Sequence, residues 1–525
     1  MPLETILFAA PATLAAALVA GLLGLFIGSF LNVVAQRLPV MQQRDLDNYI
    51  ADEAGKDLPH QDSYTFFTPR ARCPHCGHPP SLAEKLPVLG WLLTRGTCSA
   101  CKKDAVSVRV PVVEAVTGLL SAALVWHFGS GLIGLASLAF VWLLIPILLI
   151  RHDTKEIPDD LVYPLLWLGL LVNLNGGIAP LRDAVTGAAA GYLLLWAINA
   201  LFKLITRKEV IGQGLFKLLA AIGAWIGLFV PLSWDLPALY FFAPAATLGA
   251  ALIAGIFGLL VGSFLNVVVH RLPIMSQRDF DNYVADQAGQ PLPHPDRFDL
   301  TVPRSRCPHC GHQITALENI PLLSWLVLRG KCSSCKAPIS ARYPIVELVT
   351  GLLSAALAWH FGLDWIGLAV LGFGFLLIAM TLIDYDTKTL PDVLTYPLLW
   401  LGLLVNLDGA IVPLRDAVIG AAAGYMVLWT VNFLFEKVRG IPGMGNGDFK
   451  LLAALGAWMG WMLLPTIVIL SSFVGAVVGI GLILFAGRAR DNPIPFGPYL
   501  AAAGMIALLY GIPLTRYAQG LLLQA

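Results

Sequence analysis

Charge is scarce in this chain. Asp, Glu, Lys and Arg supply 13% of its 525 residues, about half the share usual in soluble domains, which excludes a globular enzyme covered by solvent. Basic tracts are missing as well, and a formal net charge of +1 offers nothing to draw in a nucleic acid. The opening residues MPLET lack the positive stretch of a secretory leader, so the first apolar run is expected to remain as a span. No HExxH occurs, and no GxGxxG follows a strand. That removes an open-site metalloprotease and a nucleotide-binding Rossmann domain. Cysteine is confined to eight residues in two short stretches.

Long apolar runs fill the rest. Hydrophobic residues make up 57% and the mean hydropathy is +0.74. Runs of spanning length recur, among them Pro11–Val34 and Ile366–Ile383. The expected fold is an all-α polytopic membrane protein.

The chain also says nearly the same thing twice. GSFLNVVAQRLP at Gly28 returns as GSFLNVVVHRLP at Gly262, and RCPHCGH at Arg72 returns at Arg306. LVYPLLWLGLLVNL at Leu161 returns as LTYPLLWLGLLVNL at Leu394. The offset is 234 residues at the first two pairs and 233 at the third. Residues 1–232 therefore read as one repeat, 233–242 as a linker and 243–525 as a second repeat. Apolar segments predict spans near 9–34, 111–128, 132–150, 160–176, 183–204 and 215–231 in the first. The second has them near 243–268, 345–362, 365–383, 393–411, 416–436, 448–464, 466–487 and 497–513. About 14 transmembrane helices follow, in two parallel repeats of 6 + 8, with polar inserts at 35–110 and 269–344. Lys and Arg gather after the first span (Arg37, Arg44, Lys56, Arg70, Arg72) and near later turns (Arg151, Lys155, Lys203, Arg207, Lys208). By the positive-inside rule the inserts are cytoplasmic and the N-terminus lies outside.

Each insert carries CxxC, 21 residues, CxxC: Cys73, Cys76, Cys98 and Cys101, then Cys307, Cys310, Cys332 and Cys335. That spacing suits a closed, structural zinc site with four thiolates. His75, His78, His309 and His312 are surplus to such a site and are expected in solvent.

The two repeats differ where acids are concerned. Asp384 in IDYDTKTLPD falls opposite Arg151, and Asp448 in GMGNGDFK falls opposite Leu215. Two spans separate the acidic segments, which returns them to one membrane face. Ionisable groups at a membrane boundary are costly and mark function by default, and a close pair of carboxyls can activate water while sharing a proton. Gly445 and Gly447 are the loop residues that would let a peptide come close. Asp386, Asp392 and Glu347 have counterparts in the first repeat and are expected to be loop, capping or structural residues.

With these motifs in hand, the second repeat resembles the bacterial type IV prepilin leader peptidase/N-methyltransferases. The resemblance covers essentially 240–525, through GSFLNVVVHRLP, the CxxC pairs, RYPIVELVTG, IDYDTKTLPD, GMGNGDFKLLAALGAW and IPFGPYLA. The first repeat resembles the same family over roughly 1–232, without the acids and without IPFGPYLA. The resemblance implies a bacterial inner-membrane aspartic peptidase with Asp384 and Asp448 as its pair. It implies leader cleavage of type IV prepilins and type II secretion pseudopilins, and N-methylation of the new terminus with S-adenosylmethionine at residues it does not identify. Membrane lipid and the pilus or secretion machinery are the implied partners. A tandem-repeat transporter or zinc-stabilised scaffold is the rival reading.

Overall fold

The computed structural model describes residues 13–53, 57–73, 75–103, 106–206, 212–228, 247–287, 289–439, 444–486 and 495–511. The expected linker at 233–242, the cations Lys56, Arg207 and Lys208, and the motif residues Gly443 and Ile494 lie outside the described residues. Two compact units divide the chain, Met1–Val230 and Pro231–Ala525.

Unit 1 runs through α1 (Leu14–Glu53), a short α2 (Leu89–Thr94), α3 (Arg109–Phe128), α4 (Leu132–Thr154), α5 (Asp159–Val172), α6 (Leu181–Thr206) and α7 (Gln213–Ile226). Unit 2 repeats the series with α8 (Leu248–Gln287), α9 (Leu323–Val327), α10 (Arg342–Phe361), α11 (Trp365–Thr387), α12 (Asp392–Val405), α13 (Leu414–Arg439) and α14 (Asn446–Met459). It then adds α15 (Leu464–Ala486) and α16 (Gly497–Ile506).

Eight helices among the described residues are long and apolar enough to cross a membrane, so the chain is a multi-pass membrane protein. Among the described residues each of the fourteen expected segments contains a helix, but α5, α7, α12 and α14 have only 14 residues each. At about 1.5 Å per residue each covers about 21 Å, short of a hydrocarbon core of about 30 Å. Backbone turns end them. A left-handed Gly409 follows the 3-10 turn after α12, and Gly460 at φ +74° closes α14.

A second difference concerns the first helix of each unit. The spans were expected to stop near 34 and 268, yet α1 and α8 continue to Glu53 and Gln287, through Pro39 and Pro273. The polar extension is held by the insert folding back on it. Arg271 donates to the carbonyls of Asp299 and Pro303 at 2.8 and 2.5 Å, and the Arg278 guanidinium lies 4.3 Å from the Phe298 ring centre. Arg37 does the same in unit 1, reaching the carbonyls of Thr65 and Pro69.

The GSFLN motif is a helix crossing. A Cβ on Gly262 would lie 2.8 Å from Glu347 Cα, so only glycine lets α8 approach α10 this closely, as small residues do between membrane helices. Gly28 makes the same approach to Glu114 Cα in α3.

In unit 2 the short helices α12 and α14 are latched side by side. The fully buried Asn406 gives its amide to the carbonyls of Ala457 and Trp458 and receives the N–H groups of Ile411 and Val412. Trp458 Nε1 donates to Leu398 O at 2.8 Å. At the other end Lys450 Nζ sits 2.7 Å from Asp392 Oδ1. Asn173, Trp225 and Lys217 repeat all three links in unit 1. These latches put the starts of α12 and α14 at one level, where the acids are.

Candidate active site

Asp384 occupies the last turns of α11 and Asp448 the third position of α14, and both are buried. They lie within electrostatic reach of one another. Asp384 Oδ2 accepts the backbone N–H of Gly497, the first residue of α16, at 3.0 Å. A Cβ on Gly497 would stand 2.6 Å from that oxygen, so glycine is what the position permits. Asp448 Oδ1 is buried without a hydrogen-bond partner. A carboxyl oxygen left unpaired in a native interior costs free energy, and such groups concentrate where a ligand is to be met.

The loop before α14 is held from α13, where Asn432 Oδ1 accepts the N–H of Met444. Gly447 has a packing reason, since a Cβ there would meet Leu390 Cβ at 2.7 Å. Gly445 has none of that kind. It is extended, at φ −75°, with open space where a side chain would project. Leu390 also touches the Cβ position of Gly497, so one leucine links the entry of α14 to the start of α16.

The remaining acids are engaged elsewhere. Asp386 takes both ends of the Arg342 guanidinium at 2.8 and 2.7 Å. Asp392 is the first residue of α12 and caps nothing; the N-cap is Pro391, and the carboxylate pairs with Lys450. That corrects the capping role read from the sequence. Proline leaves no N–H to satisfy at that point. Glu347 is buried and accepts the N–H of Leu322 at 2.8 Å, as Glu114 accepts that of Val88 at 2.7 Å.

In unit 1 the two acid positions look outward. Arg151 is exposed and its guanidinium turns back to the carbonyl of Lys155, while Leu215 is 37% exposed. Gly212 and Gly214 remain, with Gly214 packed on Ile157. A cavity of about 240 Å³ persists between Pro39 and Gln42 of α1, Ile150 and Thr154 of α4, and residues 156–159.

Both four-cysteine groups come together, their sulfurs all within 4.8 Å of one another. The Sγ–Sγ distance is 3.8 Å for Cys73–Cys101 and Cys76–Cys98, and 3.7 Å for Cys307–Cys335. A tetrahedron with metal–sulfur bonds of about 2.3 Å has an edge of about 3.8 Å, so the residues fit such an ion. Each knuckle is a tight turn. Cys307 N donates to His312 O and Gly311 N to Cys307 O, with Gly311 at φ +71°. The second knuckle puts Lys336 in the same left-handed region, at φ +63°, a signal that sequence reading did not use. His312 is not a free loop residue. Its Nε2 contacts Glu318 and Ser333 Oγ, tying one knuckle to the other.

A helical, multi-pass membrane protein with two buried acids and a four-cysteine insert is the class that fold and site define. The bacterial peptidase A24 N-terminal domain matches residues 22–128 and 256–361, and the type IV leader peptidase family matches 138–262 and 370–480. A prepilin leader peptidase/N-methyltransferase of Aeromonas salmonicida is 54% identical over 293 residues, which are 55% of this chain and 97% of the relative. Proteins of the same description from Pseudomonas aeruginosa and Burkholderia pseudomallei are 55% and 52% identical over 262 residues each. These cover 50% and 49% of this chain and 90% and 84% of the relatives. No solved structure matches the chain significantly. The chain belongs to the type IV leader peptidase family, with both of its domains present twice.

Proposed function

We propose that unit 2 is an intramembrane aspartic endopeptidase that removes the leader of type IV prepilins and pseudopilins. The observation that supports this is the burial of Asp384 at the end of α11 and Asp448 at the start of α14, within electrostatic reach of one another and engaged differently. Asp384, already accepting an N–H, acts as the base that takes a proton from water. The water oxygen bonds to the scissile carbonyl carbon, and Asp448 gives its proton to the carbonyl oxygen through the unpartnered Oδ1. Collapse of the tetrahedral adduct breaks the C–N bond: the leaving nitrogen takes the proton held by Asp384, and the former carbonyl oxygen returns its proton to Asp448 as the carboxyl product forms. Such division of labour between two carboxyls is the general solution when like charges cannot both ionise. Open space at Gly445 is suited to an extended peptide passing the pair.

The relatives' description as N-methyltransferases supports methylation of the new N-terminus with S-adenosylmethionine, at residues not yet assigned. Zinc, one per unit, is the ion the four-thiolate groups suit, and it closes the insert rather than taking part in hydrolysis. We assign 14 membrane segments in a 6 + 8 arrangement, of which the 14-residue α5, α7, α12 and α14 are shorter than a full hydrocarbon crossing, inserts on the cytoplasmic side of a bacterial inner membrane, and a unit 1 inactive in cleavage. No observation favours transport.

The test is the mass of a prepilin after incubation with the full chain in detergent. Leader loss with the natural chain, and with neither Asp384→Asn nor Asp448→Asn, is the expected result. Cleavage that survives both substitutions overturns the pair. Addition of S-adenosylmethionine should then add one methyl mass to the product.

A further inference from the structure

The structure assigns a second role to the insert of each unit: residues 321–329, and 87–95 in unit 1, form a wedge that lies in the lipid headgroup layer beside the span that follows. The inference starts from the length of that span. α10 and α3 have 20 residues each, about 30 Å at 1.5 Å per residue, which is the hydrocarbon thickness with nothing to spare. All of Arg342–Phe361 is therefore needed to cross.

Glu347 is five residues into that helix, about 7.5 Å below its start. Leu322 N is 2.8 Å from Glu347 Oε2, so the insert is fixed at that depth and not above the membrane. Unit 1 repeats the arrangement with Val88 N and Glu114 Oε2 at 2.7 Å. Glu114 is likewise the fifth residue beyond Arg109.

The turn that makes the contact is strained in both units. Leu322 is at φ +60°, ψ −50° and Val88 at φ +61°, ψ −51°, a region that non-glycine residues avoid and β-branched ones most of all. Strain of this kind persists only where surrounding contacts impose it. Here it turns one N–H into the buried carboxylate and starts the short helix that follows.

That helix presents its apolar side outward. Leu323, Leu326 and Val327 are exposed, Val327 by 80%, and so are Leu89, Leu92 and Leu93, Leu93 by 74%. The indole N–H groups are satisfied inward, Trp325 to Ile339 O and Trp91 to Val106 O. In the span itself Ile345 and Leu348, on either side of Glu347 in the chain, and Leu352 beyond them are exposed as well, the surface that meets acyl chains. Directly after the short helix come the exposed cations Arg329 and Lys331, and Lys85 and Arg95 flank the copy in unit 1. Apolar residues inserted by about 5–10 Å with cations at their rim are the signature of an element seated at an anionic bilayer surface. The depth set by Glu347 falls in that range.

The experiment uses the full chain in vesicles of phosphatidylethanolamine and phosphatidylglycerol, with a trace of phosphatidylglycerol bearing a diazirine near its acyl carbonyl. After irradiation, adducts are mapped by peptide mass. Adducts on 320–328 and 86–93 are expected. The triple variant Leu323→Glu, Leu326→Glu, Val327→Glu should lose those on 320–328 while its zinc content and the adducts on 86–93 stay as they were. Adducts confined to the long spans overturn the proposal. Links from Lys331, just beyond 320–328, to a second protein chain, formed by a separately added bifunctional lysine-reactive cross-linker and seen where lipid adducts are missing, also overturn it, by identifying another chain as the cover.

Discussion

The carboxylate of Asp384 is held by the backbone N–H of Gly497, 3.0 Å away and 113 residues later in the chain. The bond joins the end of α11 to the beginning of α16, a helix without a counterpart among the described residues of unit 1. Three elements thus build the site: α11 and α14 bring an acid each, and α16 fixes one of them.

Gly497→Ala would drive a Cβ to 2.6 Å from Asp384 Oδ2. A hydrogen bond to a charged group is worth about 1.5–3 kcal/mol, so kcat should fall by about 10- to 100-fold. KM and zinc content should hardly change. Steady-state cleavage of a prepilin separates the two constants, and an unaltered kcat would show that α16 has no part in catalysis.

Returning acids to unit 1 should not create a second active site. With Asp384→Asn removing activity from unit 2, the added changes Arg151→Asp and Leu215→Asp are expected to leave the prepilin uncut. No N–H of an α16 equivalent is there to orient the first carboxylate. Product mass decides it. Leader loss in this variant would mean that two acids suffice.

Asp386→Asn should behave unlike Asp384→Asn. Its partner Arg342 is 40% exposed, and ion pairs of that exposure contribute about 0–1 kcal/mol. Cleavage rate should stay within about fivefold of the natural chain. A complete loss would move Asp386 into the chemistry.

Cys307→Ser combined with Cys332→Ser should lower bound zinc from two per chain to one, read by elemental analysis of the purified protein. Each four-cysteine group is self-contained, so the ion in unit 1 should remain. Loss of both ions would refute independent sites.

Asn406→Ala removes two buried and two part-buried hydrogen bonds, taking their partner from two carbonyls and two N–H groups. A cost of about 3–5 kcal/mol is expected, seen as a lower denaturation midpoint in detergent. A midpoint unchanged from the natural chain would show that Asn406 is not the latch.

The sequence was most legible where hydrophobicity alone decides, and each expected apolar segment contains a helix among the described residues. It was less legible at helix ends. The first spans were expected to stop near 34 and 268, where the apolar segments end, because the guanidinium contacts of Arg37 and Arg271 that sustain the extension are made to residues about 30 positions away. Asp384 and Asp448 stood out because an almost identical repeat lacks them. Gly497 did not, although FGPY is missing from the first repeat together with the acids, and that shared loss was the available signal. The capping role given to Asp392 failed because Lys450 competes for the carboxylate, a contact no local pattern reveals.

The backbone itself bears on why unit 1 carries arginine at this point. In unit 2 the start of α16 meets Asp384, the start of α14 carries Asp448 and is joined to the start of α12 through Lys450 and Asp392, and each helix start bears about half a positive charge from its aligned peptide dipoles. That field favours an anion and repels a cation. Unit 1 keeps two of the three starts, in α5 and α7, so a guanidinium at the same position is pushed away from them. Arg151 accordingly bends to the Lys155 carbonyl, at the negative end of its own helix. Loss of the acid left the field behind, and the residue that replaced it is oriented by a charge distribution arranged for its opposite.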